Sequence, residues 1–172
     1  MGAFTYPRSE PGSAGHLDLV ERLNEATATL KDGVAGLSEE VLTAYPEDGG
    51  WSIKETVGHL CDVSHILHKR LDMMIKLEEP RLAGYDPEEL ADGRNAQGQH
   101  IDALLAEFAS QRAETVEMLS ELVHWNWARP GRHPALGRIS VRQQVDAWLD
   151  HEAEHLAQVR RLTDGAQAAA NG

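Results

Sequence analysis

The chain has 172 residues, of which 41% are hydrophobic and 26% are charged, as expected for one soluble globular domain. Its formal net charge of -12 argues against nucleic-acid or anionic-membrane partners, because an acidic surface repels phosphate groups. No apolar run approaches a membrane span, and the stretch from Met1 to Gly15 lacks the basic start and apolar core of a signal peptide. The single cysteine, Cys61, rules out an internal disulfide and fits a reducing compartment, so we expect a cytoplasmic protein.

The first predicted helix follows residues 1–15, which are rich in Gly, Pro and Ser and are expected to form a loose arm. Ser13 is a candidate N-cap, and apolar residues then recur every three or four positions as far as Gly33 or Gly36. A short capped helical turn is predicted at residues 37–42, before a Gly-rich loop.

The second predicted helix begins with a capping box, Ser52 to Glu55, in which each side chain satisfies a free backbone N–H group of the other residue. It ends before Pro80. The connection 81–98 contains one short helix that starts at Asp86, and it is longer than two antiparallel neighbours need. The sequence therefore predicts a long crossover that makes the second and third long helices parallel.

The third predicted helix covers about residues 99–123, and a loop with aromatic and turn-forming residues follows at 125–137. The fourth begins with a second capping box at residues 140–143. No alternating strand pattern is present, and the tail 164–172 is expected to be flexible. The sequence thus predicts an all-α protein, a four-helix bundle over residues 16–163.

Two histidines of the fourth helix, His151 and His155, are four residues apart and therefore share one face. At about 100° per residue, this face lies at the edge of the core-facing arc. Two histidines so placed can reach one metal ion, although histidines at a core edge often only bond to polar neighbours.

The segment from His151 to His155 also spells H-E-x-x-H, the signature of zinc peptidases. Such peptidases take a third ligand from downstream, where this chain offers only the acid Asp164. Gln158 and Arg161 stand where the extended peptidase motif requires Gly and His. The peptidase hypothesis is therefore weak, and a third ligand must come from upstream.

The second helix offers a candidate ligand in His59. Glu55, Asp62 and Arg70 lie within about 60° of it around the helix, on a face that must look inward in a bundle. Isolated buried charges are costly, so this stripe implies mutual pairing or a polar pocket.

Three motifs of the chain fit one known pattern. One is W-S-x-x-E-x-x-x-H-L-x-D, from Trp51 to Asp62, and another is H-x-x-x-H-x-x-Q, from His151 to Gln158. The third is the His-Pro-x-x-Gly turn at residues 133–137. Together they resemble the motifs of the DinB/YfiT-like metalloenzyme family, which is unrelated to the DNA polymerase called DinB. The resemblance covers most of the chain, from about residue 17 to residue 162.

The resemblance implies an up-down-down-up four-helix bundle in which His59, His151 and His155 hold one divalent metal, with water completing the coordination. Zinc, nickel or iron would suit these ligands. Characterised members are thiol-dependent S-transferases or isomerases that use low-molecular-weight thiols. The resemblance therefore implies a thiol S-transferase or a hydrolase that acts on a small-molecule substrate, and a possible homodimer.

Supporting roles can be assigned to residues around these ligands. Glu55 or Asp62 could orient His59 through its second ring nitrogen, and Gln158 could do the same for His155.

Two further residues are candidates for catalysis. Glu152 points into the core-facing arc, where it could be a general base or could pair with an arginine. Arg70 could receive a substrate carboxylate or pair with Asp62. The alternative to an enzyme is a non-catalytic helical bundle that acts as a binding or dimerisation module.

Overall fold

The computed structural model describes residues 15–47 and 49–170. The predicted arm 1–15 lies outside them except for Gly15, as does the proposed N-cap Ser13. In the described part there are six α-helices, in chain order α1 (His16–Val34), α2 (Glu39–Thr43), α3 (Ile53–Lys76), α4 (Pro87–Arg94), α5 (Ile101–Ser120) and α6 (Val141–Ala170).

The four long helices form the predicted up-down-down-up bundle. Helices α1 and α3 each pack against both α5 and α6. Cys61 Sγ lies 3.3 Å from the Leu104 carbonyl oxygen, and His68 Nδ1 lies 2.9 Å from Thr115 Oγ1. These contacts advance in the same direction along α3 and α5, so the two helices are parallel. The segment that contains α4 is the crossover between them, which confirms the sequence prediction.

Both predicted capping boxes are formed. At the start of α3, the Ser52 backbone N–H donates to Glu55 Oε2 over 2.9 Å, and the Glu55 N–H donates to Ser52 Oγ over 3.2 Å. At the start of α6, Ser140 and Gln143 make the same two bonds over 2.9 and 3.2 Å. Because these signals are local, they fix where the helices that carry the candidate ligands begin.

The prediction of no strand was wrong for one short hairpin. Strands β1 (Pro130–His133) and β2 (Gly137–Ser140) pair antiparallel within the predicted loop, after a 3-10 turn at His124–Ala128. His133 Nδ1 accepts the backbone N–H groups of Ala135 and Leu136 and so closes the turn. Strands of four residues that include Pro and Gly carry too little alternation to be recognised in sequence.

Helix α6 continues beyond Thr163, where the domain was predicted to end, as far as Ala170. Alanine has the highest helix propensity of all residues, which accounts for the extension through an Ala-rich stretch. The flexibility of the tail stays a prediction.

In the part of the chain that the structure describes, the buried apolar residues form two clusters, one at each end of the bundle. The cluster next to the hairpin includes Leu71 and Trp148, and the cluster at the opposite end includes Leu60 and Phe108. Buried polar residues of α6 lie between them, among them His151 and Glu152. The bundle therefore has a polar layer within its core.

Among the described residues, no helix is long and apolar enough to cross a lipid bilayer.

Gly58 is required where the crossover packs on α3. A Cβ atom at this position would lie 2.7 Å from Arg94 Cδ and 2.8 Å from Ala96 Cβ. We expect Gly58→Ala to lower the free energy of unfolding by about 1–3 kcal/mol through overpacking, although alanine is the better helix former by about 1 kcal/mol. Urea unfolding measures this change. The matched control is Gly165→Ala in α6, where a Cβ meets nothing within 4 Å and should stabilise the helix. A stabilised Gly58→Ala variant would contradict the close approach.

Candidate metal centre

Three imidazole nitrogens converge between α3 and α6. His59 Nε2 lies 3.2 Å from His151 Nε2, which lies 3.1 Å from His155 Nε2. These histidines form a group whose possible ligand atoms all lie within 4.8 Å of one another. The structure thus brings together the three histidines that the sequence indicated as candidate ligands. His59 and His151 are in contact although they are 92 positions apart in the chain.

The spacing of the three nitrogens fits a shared ion. Zinc binds imidazole nitrogen at about 2.0–2.1 Å, so two ligands of a tetrahedral ion are about 3.3 Å apart. Three histidines are also the ligand set of known catalytic zinc sites that keep one position open. The donor atoms therefore fit a divalent metal.

All three imidazoles are held in the neutral form that binds metals. Burial, reinforced by the other two histidines, lowers the pKa of His59 to about 3. Burial and the neighbouring His155 lower the pKa of His151 to about 3 as well. Burial also lowers the pKa of His155, against the opposing effects of Gln158 and Glu154. Nitrogen lone pairs are therefore available at neutral pH.

Gln158 lies where the sequence placed it, beside His155. Its Oε1 atom is 3.0 Å from His155 Nδ1. Because an amide oxygen only accepts hydrogen bonds, the imidazole must carry its proton on Nδ1. His155 Nε2 is then left with a free lone pair directed at the other two histidines, which is the tautomer that a metal requires.

The two carboxylates predicted to orient His59 are bound elsewhere. Glu55 accepts the Ser52 N–H in the capping box and the hydroxyl of Tyr45 over 3.2 Å. Asp62 accepts two hydrogen bonds from Arg94 on α4, over 2.6 and 2.8 Å. Neither prediction of contact with His59 is met, since helix angles give the direction of a side chain but not the neighbour it finds.

Glu152 lies in the polar layer, next to the ligands in sequence but bound to another helix. Both of its carboxylate oxygens accept from Arg112 of α5, with 3.0 Å between Arg112 Nη1 and Glu152 Oε1. Arg112 Nη1 also donates to the Leu23 carbonyl oxygen over 2.6 Å. The arginine is 1% exposed and Glu152 is 2% exposed, so the pair is fully buried. Of the two roles considered for Glu152, the structure shows the ion pair.

Arg112 was not predicted as a site residue, although the sequence contains a signal for it. The buried face of α5 has residues at helical spacing, and they are Phe108, Arg112, Thr115 and Leu119. An arginine within such a stripe must be compensated by a buried acceptor, and Glu152 was the acid in the opposing core arc.

Arg70 does not pair with Asp62 as proposed. It is buried, donates to the Ala83 carbonyl oxygen and lies 5.4 Å from the ring centroid of Tyr85. These contacts attach the crossover to α3. The structure does not bring Arg70 to the three histidines, since His59 lies about three helical turns away from it along α3.

The tryptophans have different environments. Trp127 and Trp148 are buried in the core, and Trp125 is 73% exposed. The ring of Trp51 lies 4.6 Å from that of His59 and 6.3 Å from that of His155, measured between centroids. Trp51 is therefore the tryptophan whose ring contacts candidate ligands.

The chain is similar in sequence to known proteins over most of its length. The chain is 25% identical over 143 residues to a "Putative metal-dependent hydrolase" of Oceanobacillus iheyensis, with 83% of each chain covered. It is 26% identical over 148 residues to the "Putative metal-dependent hydrolase YfiT" of Bacillus subtilis, covering 84% of this chain and 82% of the relative.

The fold has a match among solved structures. YfiT from Bacillus subtilis, described as having "an unusual four-helix bundle topology", superposes with a TM-score of 0.86 at 21% identity, over 95% of this chain and 94% of the other. The model of the DinB superfamily matches residues 22–159. This chain belongs to the DinB superfamily.

Proposed function

We propose that this protein is a metal-dependent enzyme in which His59, His151 and His155 hold one divalent ion, with zinc, nickel or iron as candidates. The ion would activate a water or a low-molecular-weight thiol for hydrolysis or transfer on a small-molecule substrate. The convergence of three neutral Nε2 atoms within 4.8 Å carries this proposal. The names of two relatives, which describe metal-dependent hydrolases, support it.

The chemistry that such an ion supplies is Lewis acidity, which lowers the pKa of a water or thiol that binds it. The protein's own contribution is to keep the imidazole nitrogens unprotonated in a site that is shielded from water. His59 and His151 are 3% and 8% exposed, so protons compete poorly for their nitrogens. Gln158 fixes the tautomer of His155.

A thiol used by this enzyme would come from solution. Cys61 is buried, donates to the Leu104 carbonyl oxygen and faces α5 rather than the three histidines. Burial and the nearby Glu107 raise the pKa of its thiol to about 12, so it has almost no thiolate at neutral pH.

The zinc-peptidase alternative is disfavoured by the position of Glu152. In an H-E-x-x-H peptidase the glutamate of the motif is the general base beside the metal. Here both oxygens of that glutamate are held by Arg112 within the core. Neither Glu152 nor Arg70 is retained as a catalytic residue in the proposal.

The ligand set is tested by metal content. We expect wild-type protein, purified without a histidine tag and reconstituted, to bind about one divalent ion per chain by mass spectrometry of metals. His59→Ala and His151→Ala should each lose most of it, because a site needs three protein ligands. The matched control is His65→Ala, an exposed histidine of α3. Absence of metal in reconstituted wild type would refute the proposal, and full metal content in His59→Ala would favour the peptidase hypothesis.

Metal binding should also stabilise the fold. An ion that binds only the native state adds about 2.7 kcal/mol at a free concentration of 100 times Kd, so zinc or nickel should raise Tm and a chelator should lower it. The shift should be lost in His59→Ala and kept in His65→Ala. An unchanged Tm in wild type is the outcome expected of the non-catalytic module instead.

The role of Glu152 can be separated from that of the metal ligands. We expect Glu152→Ala to lower the free energy of unfolding by about 3–5 kcal/mol, because Arg112 would be left buried without its partner. All three candidate ligands remain, so saturating metal should still give about one ion per folded chain. Replacing both partners, as Arg112→Met with Glu152→Leu, should cost much less in urea unfolding. If Glu152→Ala kept its stability but lost its metal, the assignment of Glu152 to the ion pair would be wrong.

A further inference from the structure

The candidate ligands His155 and His59 differ in the hydrogen bonding of their second ring nitrogen, Nδ1. His155 donates its Nδ1 proton to Gln158. His59 Nδ1 is buried and has no hydrogen-bond partner among the described residues. Histidines that bind metals almost always donate their second ring N–H to an acceptor, which fixes the plane of the ring. The orientation of the His59 ring must therefore be fixed by another contact.

Trp51 packs its ring against the His59 ring and can fix the orientation of that imidazole. Its ring is half-buried, and its centroid lies 4.6 Å from that of His59 with 47° between the two planes. It also extends over His155, with centroids 6.3 Å apart and planes 22° apart. Aromatic rings at such separations attract one another and restrict each other's rotation. One side of His59 is thus packed against a rigid surface.

The start of α3 holds Trp51 in this place. The next residue, Ser52, is fully buried and is the N-cap, and its Oγ atom accepts from Gln97 Nε2 over 3.0 Å as well as from the Glu55 N–H. The capping box and the crossover together fix the backbone beside Trp51. The spacing Trp-Ser-x-x-Glu-x-x-x-His then has a physical explanation, because the cap presents the indole to a histidine two helical turns further along.

We infer that Trp51 is the positioning residue for His59, in place of the hydrogen-bond acceptor that His59 Nδ1 lacks among the described residues. This inference rests on the proposed metal site. It assigns Glu55, through the capping box, an indirect part in orienting His59 rather than direct contact.

The inference is tested on metal binding without any assay of activity. Affinities for zinc and nickel are measured by competition with a chromophoric chelator for wild type, Trp51→Leu and Trp51→Phe. Trp125→Leu, which removes an exposed tryptophan, is the matched control. We expect Trp51→Leu to weaken binding about 10- to 100-fold, as loss of a partner that orients a ligand does. Trp51→Phe should lose less because it keeps an aromatic face, and Trp125→Leu should equal wild type.

A spectroscopic readout shows whether the loss occurs through His59. Cobalt(II) in place of zinc absorbs visible light according to its ligands, so at saturating cobalt the absorption bands of Trp51→Leu should shift from those of wild type, whereas Trp125→Leu should keep the wild-type bands. All measurements are made at a temperature at which each metal-free variant is folded by circular dichroism.

Two outcomes would overturn the inference. Wild-type affinity and spectrum in Trp51→Leu would do so while leaving the proposed metal site intact. A wild-type protein that binds no metal would remove the proposed function and this inference with it.

Discussion

The buried ion pair between Arg112 and Glu152 sets the rotation of α6 about its own axis. Glu152 lies about 100° around the helix from His151, so a glutamate directed across the core to α5 turns His151 toward α3. The bond from Arg112 to the Leu23 carbonyl oxygen extends the restraint to α1. Three of the four long helices thus meet at one guanidinium, and the fourth, α3, supplies the remaining histidine. A buried pair of this kind contributes little net stability but strongly disfavours arrangements that separate its members.

The same layer explains why polar residues are tolerated in the middle of the bundle. Arg112 lies between the rings of Phe108 and Trp148, with its guanidinium carbon 4.9 and 5.0 Å from their centroids. The apolar clusters on either side exclude water, which disfavours the charged form of the histidines, while the hydrogen bonds from Arg112 oppose the effect of burial on Glu152. The imidazole lone pairs that would bind a cation in the proposed function are thus surrounded by packing that disfavours their protonation. The apolar packing that stabilises the fold therefore also lowers the pKa values of the histidines.

Much of the fold and of the site could be predicted because the signals were local. The capping boxes at Ser52 and Ser140 and the one-face placement of His151 and His155 follow from spacing within single helices, and the crossover follows from the length of the connection 81–98. The sequence did not predict which side chains distant along the chain would form hydrogen bonds and ion pairs with each other. Asp62 meets Arg94 from the crossover rather than Arg70, its neighbour on α3, and Glu152 meets Arg112 40 positions away. The hairpin was missed because its strands hold four residues each, with a proline and two glycines among them.

The distance in sequence between His59 and His151 has a topological consequence. They are 92 positions apart, on helices separated by the whole crossover and by α5. With one cysteine the chain can form no internal disulfide. An ion held by both helices would therefore tie the two halves of the polypeptide together much as a disulfide does, and would reduce the conformational freedom of the unfolded chain if it stayed bound. In a reducing environment, coordination offers such a protein a cross-link that needs no oxidation.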